Sequence, residues 1–149
     1  MLSMAPGSAR RTTVAAYAAL AAGDVEPLLG CLAADVEWAE TVGRRLVATV
    51  RGRDAVAALI AERARRSRRV AFRGLTVRAS SLTIEFDEPW WDTQAGSLRR
   101  LIATALGTRF TQTVTFGDTV ERIESSQLLA ASLPEEQDRL DLTSALLGR

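Results

Sequence analysis

The hydrophobic pattern of the chain changes its period at Asp35, and this change is the feature that most restricts the fold. Before Asp35, apolar residues recur at helical spacing in two segments. They predict a first helix that ends near Ala22 and, after a glycine break, a second helix capped by Asp24. From Asp35 onward the period is two, interrupted by one further helical stretch over residues 54–66.

Strands are predicted wherever apolar and polar residues alternate between turn signals. A change of apolar parity at Gly74 predicts a bulge there, because an extra residue in one strand reverses the faces beyond it. Two segments need separate treatment: residues 97–106 fit a short helix or an extension of the following strand, and a capping-box spacing predicts a terminal helix over residues 132–148. The predicted strands cover residues 35–40, 46–50, 69–80, 81–91, 108–116 and 119–125.

Helices followed by strands joined through short turns are typical of the α+β class. We therefore expect N-terminal helices packed on one face of a curved antiparallel sheet, which forms a cone with an internal pocket. A chain of 149 residues has the usual length of one domain, so residues 1–149 are expected to form a single unit.

Two absences in the composition exclude whole classes of chemistry. The chain has no histidine and one cysteine, which rules out histidine-dependent triads and zinc sites built on these ligands. None of its 19 basic residues is lysine, so a Schiff base and a P-loop lysine are excluded as well. A general base must then be a carboxylate or, less favourably, the single tyrosine, and we expect neither metal nor cofactor.

Charge and hydropathy restrict the partners and the compartment. The net charge of +1 argues against nucleic-acid binding, and the densest basic run, residues 63–69, ends a predicted helix, where arginine suits the helix dipole. No apolar run reaches the roughly 18 residues needed to span a bilayer. Residues 1–11 lack the apolar stretch of a secretory signal, so we expect a cytoplasmic protein without membrane contact.

Two polar residues fall on strand faces that are otherwise apolar. Glu40 shares its face with Val36 and Trp38, and Gln112 lies among Phe110 and other apolar residues on the cleanest predicted strand. A polar group on a buried face needs a partner or a ligand. Glu40 is either a base in a pocket or a rim residue paired with a neighbouring arginine, Arg44 or Arg45, and Gln112 is either a pocket residue or a structural amide.

The segments YAALAAGDVEPLLGCLAADVEW and RGRDAVAALI, followed by the predicted sheet, resemble the nuclear transport factor 2-like superfamily. The resemblance is to its SnoaL-like polyketide cyclase and ketosteroid isomerase branches and covers residues 12–126. It implies a cone-shaped fold with an apolar pocket and proton transfer at carbon without a cofactor. Many members of this superfamily are dimers, so the resemblance also implies a homodimer. This fold hosts many unrelated activities, so the resemblance alone does not fix the reaction.

The resemblance also implies roles for individual residues. Glu40 matches the position of the isomerase base, and Gln112 lies near its second oxyanion donor. The oxyanion tyrosine falls on Ala16, one residue from Tyr17, which suits either helix packing or acid catalysis. The residues expected to contact the substrate are Trp38, Tyr17, Phe72, Phe86, Glu88, Trp90 and Phe110, with packing or a subunit interface as the alternative for Trp90.

These observations predict a small-molecule enzyme that moves a proton on an apolar polycyclic or polyketide-like carbonyl compound. The alternative from another class is a non-catalytic member of the same fold that binds a ligand or a protein. We further expect a homodimer formed through the outer face of the sheet, where the strand over residues 108–116 carries threonines and the neighbouring strand carries Arg73 and Arg78.

Overall fold

The computed structural model describes residues 6–67, 70–92 and 105–129, where the helices and strands follow one another in the predicted order. The predicted tail helix and most of residues 97–106 lie outside the described residues. The helices are α1 (Pro6–Ala21), α2 (Glu26–Leu29) and α3 (Arg53–Arg66), and the strands are β1 (Leu32–Val42), β2 (Arg45–Arg51), β3 (Phe72–Val77), β4 (Ser81–Phe86), β5 (Thr108–Phe116) and β6 (Val120–Leu129).

The six strands form one sheet in the order β2-β1-β6-β5-β4-β3. The expectation of a wholly antiparallel sheet is wrong at one place, because β1 and β6 run parallel while the other neighbours are antiparallel. The sheet therefore consists of a β1–β2 hairpin and a meander from β3 to β6, joined along β1 and β6. Alternation of side chains fixes the face of each strand but not its direction relative to a distant partner.

Four irregularities interrupt the strand registers, and two of them bear on the predictions and on the candidate site. The predicted bulge at Gly74 is confirmed: Phe72 is paired with Phe86, whereas the next paired residue on β3 is Gly74 itself, opposite Glu85. A second register shift separates Glu40 from Thr41 on β1. Bulges bend a strand and increase its local twist, so these positions contribute to the curvature on which the helices pack.

Glycines with positive φ mark the starts and ends of the helices. Gly23, with φ of 94°, separates α1 from α2, and the Asp24 carboxylate accepts a hydrogen bond of 3.2 Å from the Glu26 backbone N–H. Gly52, with φ of 98°, precedes α3 and donates its own N–H to the Val36 carbonyl at 2.8 Å. The beginning of α3 is thereby attached to β1, the strand that carries Glu40.

The core lies between the helices and the inner face of the sheet. Trp38, Ile123, Val114 and Leu82 are successive partners across β1, β6, β5 and β4, and each is 0% exposed. Full burial of an apolar side chain of this size stabilises the fold by about 1.5–3 kcal/mol. The helical residues packed in the same core include Leu28, Val56 and Ile60. None of the helices in the described part of the chain is long and apolar enough to cross a membrane.

Candidate functional site

The register of the sheet brings the two polar residues of the inner face into one row. Glu40 on β1 is paired with Ser125 on β6, and Ser125 is paired with Gln112 on β5. Neighbouring strands lie about 4.8 Å apart, which separates the Glu40 and Gln112 backbones by about 10 Å. The Gln112 Nε2 donates a hydrogen bond of 2.8 Å to Ser125 Oγ, between them. Ser125 is buried, and the sequence pattern alone did not single it out.

Glu40 is held by two donors that meet at the same carboxylate oxygen. Trp38 Nε1 and an Arg63 terminal nitrogen each lie 3.0 Å from Glu40 Oε1. The side chains of Arg63 and Glu40 are 24% and 13% exposed, so the ion pair is largely removed from water. The arginine that reaches Glu40 thus comes from α3, rather than being Arg44 or Arg45 of the β1–β2 turn.

Arg63 also donates a hydrogen bond to the backbone carbonyl of Trp91. Trp91 lies in the turn that follows β4, and the neighbouring Asp92 accepts a hydrogen bond of 2.7 Å from Gln127 Nε2 of β6. The sequence analysis described Arg63 only as part of the basic end of a helix. Its contacts were not predicted, because they are with residues that are distant in the sequence. It is the main functional candidate that the sequence pattern missed.

Aromatic rings surround Phe86 on the inner face. Its ring centroid lies 5.4 Å from that of Phe72, 5.8 Å from that of Trp91, 6.2 Å from that of Trp90 and 6.3 Å from that of Tyr17. We call this group the aromatic cluster. Trp38 joins it through Trp90, at 6.3 Å between ring centroids. Separations of this size are typical of favourable aromatic pairs.

The predicted substrate-contacting residues differ in their burial. Trp38, Tyr17, Phe86, Trp90 and Phe110 are buried. Phe72 is 40% exposed, since it lies on the edge strand β3. Glu88 is exposed in the turn after β4, where its backbone carbonyl accepts the Trp90 N–H, so the strand alternation that placed it beside Phe86 does not continue past the end of β4.

Three buried polar atoms have no hydrogen-bond partner in the described part of the chain: the Tyr17 hydroxyl, Trp90 Nε1 and Gln112 Oε1. Tyr17 and Trp90 both contact Phe86, and Gln112 follows Phe110, the partner of Phe86 on β4, by two residues on the same face. An unpaired buried polar group costs about 1–3 kcal/mol. Polar groups beside apolar and aromatic side chains are those that a bound ligand uses for its orientation.

The single cysteine does not belong to this arrangement. Cys31 is buried, and its thiol donates to the Pro27 carbonyl at 3.2 Å. Burial raises the pKa of the thiol, which disfavours the thiolate needed for nucleophilic chemistry. The described residues form a cleft of about 460 Å³ between the ends of α1 and α3, and its lining includes Leu20, Val25 and Val70 but neither Glu40 nor Gln112.

The profile of the SnoaL-like domain matches residues 13–120, which is more than half of the chain. The chain belongs to the SnoaL-like domain family. This family is part of the nuclear transport factor 2-like superfamily, so the resemblance predicted from the sequence is confirmed. Among curated proteins, none matches this SnoaL-like domain.

Solved structures with the same fold include three informative relatives. A protein of unknown function from Mesorhizobium loti, described as NTF2-like, superposes with a TM-score of 0.62 at 14% identity, covering 85% of this chain and 96% of its own. A steroid delta-isomerase from Pseudomonas aeruginosa gives 0.56 at 13% identity, covering 94% and 95%. A SnoaL-like protein of unknown function from Burkholderia thailandensis gives 0.53 at 15% identity, covering 85% and 98%. At these identities the likeness establishes the fold alone.

The environment of Tyr17 leads to a prediction about pH. Burial, with a smaller contribution from Cys31, raises the pKa of the Tyr17 hydroxyl far above its ordinary value of 10.0. Because the folded-state pKa exceeds the unfolded one, the neutral phenol stabilises the fold below about pH 10, and this contribution is lost as the pH rises further. Tyr17 is the only tyrosine, so tyrosinate absorbance should stay absent to about pH 11 and then rise together with unfolding. A tyrosinate signal that grows near pH 10 while circular dichroism remains native would contradict this.

Proposed function

We propose that this SnoaL-like domain binds a small apolar carbonyl compound, polycyclic or polyketide-like, against the inner face of its sheet and transfers a proton at the carbon beside the carbonyl. The observation that carries the proposal is the set of three buried polar atoms beside the aromatic cluster that find no partner among the described residues. Flat apolar rings suit the aromatic side chains, and a carbonyl oxygen supplies the acceptor that the Tyr17 hydroxyl and the Trp90 indole N–H require. The chemistry needs neither a metal nor a cofactor.

In the proposed reaction Glu40 is the base. Among the described residues, both of its donors bind Oε1, which leaves Oε2 to take the proton. The carbon–hydrogen bond breaks, its electron pair forms the enolate, and the proton moves to Glu40 Oε2. Return of that proton to another carbon gives an isomer. Attack of the enolate carbon on a second carbonyl closes a ring instead, and the proton on Glu40 then passes to the alkoxide oxygen that this attack forms. Hydrogen bonds to the enolate oxygen lower the barrier because they strengthen as charge develops.

Gln112 is proposed as a further donor to that oxygen. As placed, its Nε2 bonds to Ser125 and its Oε1 is the unpartnered atom. The Ser125 hydroxyl can donate as well as accept, so a turned amide would bond to Ser125 through Oε1 and direct Nε2 toward the ligand. Both orientations satisfy Ser125, which makes this pair adaptable to a ligand that presents an acceptor.

A second candidate function is ligand binding without turnover. The observation that favours it is the Glu40–Arg63 ion pair, because a carboxylate held in a largely buried ion pair also serves as a structural tie. The aromatic cluster and its unpartnered polar atoms would then serve recognition alone. The two functions differ in whether Glu40 takes part in bond breaking, which the following substitutions separate.

Substitution of Tyr17 by Phe tests the ligand site itself. Removal of a hydroxyl without a partner should leave the free energy of unfolding within about 0.5 kcal/mol of the parent value, or raise it. Binding of 2-tetralone, a bicyclic ketone, should weaken about fivefold, corresponding to about 1 kcal/mol for one lost hydrogen bond. Chemical denaturation and quenching of tryptophan fluorescence measure the two quantities. A clear loss of stability with unchanged ketone binding would show that the hydroxyl is structural.

Substitution of Glu40 by Gln tests the reaction. The domain should accelerate exchange of the protons beside the 2-tetralone carbonyl for deuterium in D₂O, and E40Q should lower the catalysed rate at least about 100-fold with little change in ketone affinity. Proton NMR follows the exchange. The matched control is E37Q, since Glu37 lies on the same strand, on the opposite face, in an ion pair with Arg51. Ketone binding with equal exchange by parent and E40Q would leave only the binding function.

We also propose a homodimer through the outer face of the sheet. Thr111, Thr113 and Thr115 lie on this face of β5, half-buried. The face also carries an ion pair between Arg109 and Glu85 at 3.0 Å, which leaves the threonines as its least charged part. Sedimentation at micromolar concentration should show a dimer that T113E converts to monomer, because facing carboxylates repel. A parent protein that sediments as a 16.1 kDa monomer would contradict the proposal.

A further inference from the structure

One side chain connects the proposed base to the turn that carries part of the aromatic cluster. Arg63, in the last turn of α3, reaches both the Glu40 carboxylate on β1 and the Trp91 carbonyl after β4. These acceptors belong to segments that are far apart in the chain and are not neighbouring strands of the sheet. Within the described residues, the Arg63 guanidinium hydrogen-bonds to both acceptors, and the Trp38 and Trp90 rings, with centroids 6.3 Å apart, pack between the same two segments.

We infer that Arg63 is a positioning residue, which fixes the Glu40 carboxylate and the Trp90–Trp91 turn relative to each other. The inference rests on the proposed function, because it concerns the geometry between the base and the Trp90 indole N–H that would bind the ligand oxygen. Proton transfer from carbon requires the base and the oxyanion donors to be correctly placed at the same time.

The carboxylate end of this connection is well defined. Trp38 Nε1 and Arg63 both donate to Oε1, each at 3.0 Å, so rotation of the Glu40 side chain is opposed from two directions. Trp38 is 0% exposed and packed in the core, which makes it a rigid donor. Arg63 completes the restraint, and the second carboxylate oxygen keeps a fixed orientation.

The turn end is held at two points as well. The turn is tight, with hydrogen bonds of 2.9 Å from Trp90 N–H to the Glu88 carbonyl and from Asp92 N–H to the Pro89 carbonyl. Gln127 binds the Asp92 side chain from β6, and Arg63 binds the Trp91 carbonyl from α3. Loss of Arg63 would remove the hydrogen bond from α3 and leave the turn held by Gln127 and by the packing of its tryptophans on Trp38 and Phe86.

Arginine suits this role better than lysine for a geometric reason. Both hydrogen bonds leave from the same terminal nitrogen, which the planar guanidinium holds in place, whereas a lysine ammonium ends one bond closer to the backbone on a flexible stem. The pair is also unlike the surface ion pair between Arg66 and Glu62 on the same helix, whose side chains are 56% and 52% exposed. That exposed pair contributes little to structure.

The test compares R63M and R63K with the control R66M, which removes an arginine from the same helix without touching the site. The chain has three tryptophans, all of them in the aromatic cluster or in contact with it, so their indole N–H resonances in ¹H–¹⁵N NMR spectra report the geometry without any substrate. Exchange of the 2-tetralone protons in D₂O reports the reaction on the same samples.

In R63M we expect the Trp38 and Trp90 resonances to shift and the catalysed exchange rate at saturating ketone to fall about 10- to 100-fold. In R63K the Trp38 resonance should stay near its parent position while the Trp90 resonance shifts, since the shorter lysine side chain keeps its ammonium beside the charged Glu40 carboxylate and does not also reach the Trp91 carbonyl. R66M should match the parent in both measurements. Should R63M fail to fold, R63K decides alone: parent-like resonances and a parent-like rate in R63K would overturn the inference, as would unchanged resonances in R63M.

The two proposals fail in different ways. If E40Q exchanges the ketone protons as fast as the parent while R63M still moves the Trp38 and Trp90 resonances, the base assignment is wrong and the positioning by Arg63 stands. If E40Q abolishes exchange while R63M changes neither the resonances nor the rate, Glu40 is the base and Arg63 does not position it.

Discussion

The parallel pairing of β1 with β6 is the contact on which the rest of the arrangement depends. It joins the β1–β2 hairpin to the meander from β3 to β6 and places Glu40, Ser125 and Gln112 in one row. Backbone hydrogen bonds secure the pairing at both ends, from Val120 N–H to the Cys31 carbonyl and from Gly43 N–H to the Gln127 carbonyl, each at 2.7 Å. A shift of one residue along this pair would turn Glu40 away from the inner face.

The fold was largely predictable because alternation and helical spacing are local properties of the sequence. The strand over residues 108–116 and the bulge at Gly74 follow from residues adjacent in the chain. The expected antiparallel direction of β6 relative to β1 was wrong, because the side-chain pattern of a strand does not specify which strand it pairs with or in which direction. Phe72 shows the same limit: its parity is correct, and its exposure follows from lying on an edge strand, a property of the assembled sheet.

The residues of the candidate site that are recognisable by their strand face could be predicted from the sequence. Those that join it through contacts between elements could not. Glu40 and Gln112 were found from parity, because a polar residue among apolar ones is visible in sequence. Ser125 and Arg63 were not found, since a serine on a strand and an arginine at a helix end are common. Glu88 was placed by extending the alternation of β4 beyond Phe86, where the chain turns. The three buried polar atoms that lack partners among the described residues are a second departure from local rules, because an unpaired buried polar group destabilises the fold.

The long-range character of the β1–β6 pair also has a consequence for how the chain acquires its structure. Thr41 and Ser126, whose hydroxyls lie 2.8 Å apart across this pair, are separated by 85 residues in the sequence. Closing a loop of that length costs chain entropy before the contacts of the strand pair contribute any favourable free energy. Pairing between distant segments therefore slows folding. During synthesis, β1 leaves the ribosome well before its partner exists, with one edge covered by β2 and the other unpaired. The sheet is complete only after β6, the last described strand, has been synthesised. Until then the nascent chain carries the open edge of β1, and an open strand edge is vulnerable to aggregation.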